Sequence, residues 1–128
     1  MSIKDEVAII GVGCTKFGEN FDKGYEDLAV DAAYEAFEDA GVQPTDIQAT
    51  WLGTEIPSTG NSEGRTGASL ANYLDLRNGP VTRVANYCAT GLDAFRNACF
   101  AIACGAYDIA LVLGVEKMRD VGSRGLID

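Results

Sequence analysis

Hydrophobic positions change period several times along the chain, and each change marks an element. Val7-Ala8-Ile9-Ile10 is a short, β-rich apolar run closed by Gly11-Val12-Gly13, which predicts a buried strand. A polar, glycine-containing loop follows to about residue 24. From Tyr25 the spacing becomes helical: Leu28, Ala29, Ala32, Ala33, Ala36, Phe37 and Ala40 share one face. Glu26, Asp27, Asp31, Glu35 and Glu38 lie mostly off that stripe and read as a solvated face. Acids early in a helix suit its positive end, and Gly41 supplies the stop.

Pro44-Thr45-Asp46 is turn chemistry, and Ala49-Thr50-Trp51-Leu52-Gly53 predicts a second strand. Residues 56–67, rich in Ser, Thr, Gly and Asn, read as an exposed loop. Ala68, Leu70, Ala71, Tyr73 and Leu74 give a short helix its apolar contacts, and Asn78-Gly79-Pro80 breaks the chain again. A third strand over residues 81–85 runs into Asn86-Tyr87-Cys88. Residues 89–103 are helical, with Leu92, Phe95, Ala98, Cys99 and Ile102 as the apolar stripe and Gly105 as the end. Ile109-Ala110-Leu111-Val112-Leu113 is continuously apolar, the pattern of a strand covered on both faces. Strands and helices alternate as βαβαβαβ. The expected fold class is therefore α/β: one domain over residues 1–128 with a mostly parallel sheet and right-handed crossovers.

Composition narrows the function classes. Ten basic and 19 acidic side chains give a net charge of -9, which repels phosphate backbones and anionic lipid heads, so neither nucleic acid nor membrane is an expected partner. No apolar run is long enough to span a bilayer, and the charged start leads into only a handful of apolar residues, unlike a secretory signal. The four cysteines, Cys14, Cys88, Cys99 and Cys104, include no Cys-x-x-Cys pair, so reduced thiols in a cytoplasmic protein are expected, with Cys99 and Cys104 filling core space. With no histidine in the chain, imidazole chemistry needs another polypeptide segment, and a metal site lacks its usual ligands. Gly11-Val12-Gly13 fails as a dinucleotide fingerprint, because Lys16 stands at the third glycine position and no helix opens there.

Cys88 sits where a strand ends and a helix begins. The N–H groups of a helix's first turn carry partial positive charge, which favours a thiolate, and ligands of open α/β sheets gather at the carboxyl ends of strands. Ala89, Thr90 and Gly91 are small enough for close substrate approach. On these grounds Cys88 is the candidate catalytic nucleophile; the competing reading is a buried cysteine packed between sheet and helix. Glu116 and Lys117 follow a strand's end and read as structural partners.

Asn86-Tyr87-Cys88-Ala89-Thr90-Gly91 resembles the thiolase nucleophile segment, an Asn-x-Cys-Ala-Ser-Gly pattern opening a long helix, with Thr90 in place of the frequent Ser. Residues 105–118 resemble the family's Gly-x-x-Asp strand ending in Gly-x-Glu-x-Met, with Val115 for a common Gly and Lys117 for a common Ser. Residues 7–18 are similar to the opening of the sterol-carrier-protein-type and archaeal acetyl-CoA acetyltransferase-like branch. The three blocks stand in family order across residues 7–118.

The resemblance implies the amino-terminal half of a thiolase fold and an acyltransferase that forms an acyl-enzyme on Cys88, with its backbone N–H in an oxyanion hole. Asn86 and Thr90 would support the turn. The substrate implied is an acyl-CoA thioester, and no cofactor is implied. The Gly60-Asn61-Ser62-Glu63-Gly64-Arg65-Thr66 loop resembles a segment approaching the partner's site in family dimers, against the alternative of an ordinary solvated loop. A full thiolase is roughly three times this length, and its His and second Cys or His come from segments these residues lack. The expected partners are thus a second copy, or another chain completing the carboxyl-terminal half, and the chain alone is expected to be inactive. Two other readings remain at this level: a non-catalytic thiolase-like subunit and an acyl-CoA retro-aldolase.

Overall fold

The computed structural model describes residues 3–55, 67–76 and 79–118. Its first regular element is helix α1, Tyr25–Ala40. The Gly24 N–H donates to Asp27 Oδ2 at 2.7 Å, so a first-turn acid satisfies a backbone donor that the helix leaves open. Gly41 closes the helix in the left-handed region (φ 68°), a conformation that costs glycine nothing. Strand β1 (Ala49–Gly53) follows a single 3-10 turn, Pro44–Asp46. Helix α2 covers Ala68–Tyr73, strand β2 Val81–Val84, helix α3 Thr90–Ala103 and strand β3 Ala110–Gly114. The predicted loop up to residue 66, and residue 78 of the break at 78–80, lie outside the described residues.

The sheet is parallel throughout, with order β2-β1-β3. Thr50 pairs with Leu111 and Leu52 with Leu113, so these side chains share one face by the two-residue period of a strand. Leu52, Leu111 and Leu113 join Leu28, Ala29, Ala33 and Phe37 of α1, Leu70 of α2 and Leu74 just after it in one buried cluster. The opposite face of β1 meets α3, where Gly53 lies against Thr90 and Ala94. The result is a three-layer α/β/α arrangement, as the alternation of elements predicts.

Residues 7–10 do not form the predicted strand. Their segment instead runs along α1: the Val12 N–H donates to Asp39 Oδ2 (2.9 Å) and the Cys14 N–H to Glu35 Oε2 (3.0 Å). A Cβ at Gly11 would lie 2.4 Å from the Ala36 carbonyl oxygen, and one at Gly13 would lie 2.1 Å from that of Ala32. A cleft of about 580 Å3, bounded by Val7, Ile9 and Gly13 on one side and Leu111 and Leu113 on the other, lies between this segment and β3. The apolar pattern marked a segment that lies along α1 with Ile9 and Ile10 exposed; among the described residues it has no strand partner.

The apolar stripe of the third helix also differs. Thr90, Ala94 and Ala98 face the sheet, whereas Leu92 is 75% exposed and Phe95 and Phe100 are also exposed. Small side chains admit the closest approach of helix to strand, so the buried face is the small one. Cys99 is half-buried and Cys104 exposed, which corrects their reading as core fillers. Trp51 and Tyr107 stack edge to face at 6.2 Å.

Candidate functional site at the carboxyl ends of the strands

Cys88 occupies a single 3-10 turn, Tyr87–Ala89, that joins β2 to α3. Its thiol is exposed, so the competing reading of a cysteine packed between sheet and helix does not hold. The turn lies where β2 leaves the sheet, at the carboxyl edge common to all three parallel strands. This is the edge at which open α/β folds present their chemistry.

The backbone around the sulfur is tightly specified. Tyr87 takes φ 47°, a left-handed conformation that costs a residue with a Cβ roughly 1–2 kcal/mol. The Ala89 N–H donates to the Asn86 carbonyl at 2.9 Å, and the Thr90 N–H donates to the Tyr87 carbonyl. The Thr90 hydroxyl accepts the Asn86 N–H at 2.7 Å. Its single proton faces two acceptors, the Tyr87 carbonyl at 2.7 Å and Glu55 Oε2 at 3.3 Å. Asn86 and Thr90 thus stand in the supporting positions expected of them, Asn86 through its main chain. Gly91 has open space on the side where a Cβ would project.

Sequence reasoning passed over a second group of residues beside this turn. Glu55, two residues beyond β1, accepts the Tyr87 N–H on Oε2 at 2.9 Å. Arg83 of β2 donates from Nε to the Thr54 carbonyl (3.2 Å) and from its guanidinium to the Glu55 carbonyl (3.1 Å). The Glu55 N–H in turn donates to Glu116 Oε1. Glu116 therefore acts as the structural partner that its place after β3 predicts, and Lys117 does likewise by donating to the carbonyls of Asn20 and Lys23. The signal available in the sequence was positional: Glu55, Arg83 and Glu116 all fall at or near the carboxyl ends of strands.

Beneath these residues lies Tyr25, 4% exposed, whose hydroxyl and that of Thr54 are both buried without a hydrogen-bond partner. Burial pushes the Tyr25 hydroxyl up from 10.0 to about 12; nearby Thr54, not aligned for a full hydrogen bond, opposes that rise, and Glu116 adds to it. Among the described residues, no group of three or more His, Cys, Asp or Glu side chains is arranged to hold a metal ion, and no helix is long and apolar enough to cross a membrane.

Residues 7–125 match the family model for the thiolase N-terminal domain. The acetyl-CoA acetyltransferase of Methanothermobacter thermautotrophicus is 39% identical over 116 residues, which cover 91% of this chain and 30% of that protein. Among solved structures, an acetyl-CoA acetyltransferase from Syntrophomonas wolfei superimposes with a TM-score of 0.66 at 28% identity, covering 81% of this chain and 27% of the other. The Ltp2-ChsH2(DUF35) aldolase shares the fold, with a TM-score of 0.63 at 24% identity over 78% of this chain and 25% of that one. The chain thus spans less than a third of the length of each of these relatives. With matching motifs, a parallel sheet and a cysteine at the βα turn, the chain belongs to the thiolase family, within its N-terminal domain.

Proposed function

We propose that Cys88 is the nucleophile of a thiolase-type acyltransferase acting on acyl-CoA thioesters. Its Sγ attacks the thioester carbonyl carbon, a new S–C bond forms, and the bond to the CoA sulfur breaks. The thiol proton passes to the departing CoA thiolate, leaving an acyl-cysteine and free CoA. The Cys88 backbone N–H contributes to stabilising the oxyanion of the tetrahedral intermediate. A second thioester or a CoA thiol then completes C–C bond formation or cleavage. Coenzyme A enters as part of the substrate, and no resident cofactor takes part.

The observation that carries this reading is the exposed thiol on a strained, hydrogen-bonded turn at the carboxyl edge of the sheet. The chain contains no histidine, so the base that activates the thiol and the group that handles the α-carbon proton come from another segment or chain. A segment or chain carrying the carboxyl-terminal half is the partner that fits this need, since a second copy brings no histidine either. A cytoplasmic setting keeps the four thiols reduced.

Exposure alone does not distinguish Cys88 from Cys14 and Cys104, which are also exposed. Competitive labelling by iodoacetamide or an acyl-CoA, read by mass spectrometry, should modify Cys88 ahead of the other three. Equal rates at Cys14, Cys88 and Cys104 would remove the proposal.

A further inference from the structure

We propose that Glu55 is the positioning residue of the Cys88 turn: its side chain holds Tyr87 in the left-handed conformation and so aims the Cys88 amide and sulfur at an incoming thioester carbonyl. The inference rests on Cys88 being the nucleophile and adds what fixes its geometry.

The hydrogen bonds within residues 86–90 are local. Asn86 bonds to Thr90 and Ala89, and Tyr87 bonds to Thr90. Such bonds shape the turn but move with it, and none ties it to the sheet. Among the described residues, the hydrogen bonds reaching this turn from elsewhere both come from Glu55, to the Tyr87 N–H and to the Thr90 hydroxyl. Glu55 can act as an anchor because its own main chain is held at both ends. Arg83 grips its carbonyl from β2, and Glu116 takes its N–H from beyond β3. The strain at Tyr87 gives this anchor its purpose, since a left-handed residue with a Cβ persists only where its surroundings over-determine it.

Charge is not what the role requires. A carboxylate beside the turn repels a developing thiolate or oxyanion, so its value lies in accepting the Tyr87 N–H, and a share of the Thr90 hydroxyl proton, from a fixed place. Glu55→Gln keeps an acceptor oxygen at the same reach without the charge, whereas Glu55→Asp keeps the charge but falls one methylene short.

The test compares two reactions of Cys88 in the wild-type, E55Q and E55D chains. Iodoacetamide alkylation reads access to the thiol, and acetylation by S-phenyl thioacetate also needs the oxyanion donors in place. E55D should slow acetylation of Cys88 by about ten-fold or more, the scale set by small misplacements of reacting groups, while alkylation changes less than about two-fold. E55Q should keep both rates near wild type. Wild-type rates of acetylation in both variants would overturn the role of Glu55 and leave Cys88 as nucleophile. Loss in E55Q with retention in E55D would also overturn it, by showing that charge matters and position does not. Wild-type acetylation no faster at Cys88 than at Cys14 or Cys104 would remove the nucleophile assignment, and this inference with it.

Discussion

Gly53, the last residue of β1, backs directly onto Thr90, the first residue of α3: a Cβ at position 53 would lie 3.3 Å from Thr90 Cγ2 and 3.5 Å from Ala94 Cβ. The spacing between the sheet and α3 is therefore set by a missing side chain. Because Thr90 also bonds to Asn86 and Tyr87, whatever moves Thr90 moves the Cys88 turn.

Gly53→Val places two further carbons where Thr90 and Ala94 already stand. Overpacking of this kind costs about 1–3 kcal/mol, to be read as a lower denaturation midpoint in urea. Gly53→Ala adds only a tight contact and also stiffens the unfolded chain, a gain of about 0.4–1 kcal/mol, so its net effect should be smaller. Wild-type stability in the Val variant would show that α3 does not seat on Gly53.

Thr90 is 6% exposed, and its hydroxyl accepts the Asn86 N–H. Thr90→Val keeps the shape but strands that part-buried donor, a loss of about 1–3 kcal/mol. Thr90→Ser keeps the hydroxyl and should stay within about 1 kcal/mol of wild type. The two variants compared by chemical denaturation separate the hydrogen bond from the packing; a loss in the Ser variant with none in the Val variant would assign the effect to the methyl group and remove the role of the hydroxyl.

The elements that the sequence made legible are those whose apolar period is satisfied within the chain. Tyr25–Ala40 and Ala49–Gly53 show this, as each buries its patterned face against a partner. Cys88 was legible because its strand-to-helix turn follows from local signals and a motif. Three features were not. The 7–10 segment carries a strand's apolar pattern, but strand pairing is a property of two segments, and Glu35 and Asp39 take the Cys14 and Val12 amides instead. On α3 the helical period offered a stripe of Leu92, Phe95, Ala98, Cys99 and Ile102; Ala98 is buried as expected, but the rest of the buried face is Thr90 and Ala94, the small residues that meet Gly53. The Glu55 clamp was hidden for a related reason: residues 55, 83, 87, 90 and 116 meet only once the strand ends are aligned.

Gly13 tests the attachment of the amino-terminal segment. A Cβ there would press into the Ala32 carbonyl oxygen at 2.1 Å and the Ala36 nitrogen at 2.7 Å. These are helix backbone atoms that cannot turn aside, so Gly13→Ala must lift the segment from α1. The expected result is faster hydrogen exchange at the Val12 and Cys14 amides, which donate to Asp39 and Glu35, with little change in β1. Unchanged exchange at both amides would show that the segment is held from its other side.

Tyr25 makes the alkaline stability of the fold predictable in sign. Burial raises its hydroxyl from 10.0 to about 12, so the unfolded chain gives up this proton before the folded one does. Between about pH 10 and pH 12 the folded state binds more protons, and stability must fall as pH rises, by roughly 2–3 kcal/mol across the window. Below about pH 10 the contribution is fully present. Other groups titrate in this range too, so the informative quantity is the difference between wild type and Tyr25→Phe. Near neutral pH the Phe variant should match wild type or exceed it by up to about 1 kcal/mol, because it removes a buried hydroxyl that has no partner. Above pH 10 the wild type should weaken relative to the variant. A stability difference that stays flat from pH 9 to 12 would mean that the phenol ionises as readily inside the fold as outside it, and that the floor beneath the strand ends is wet.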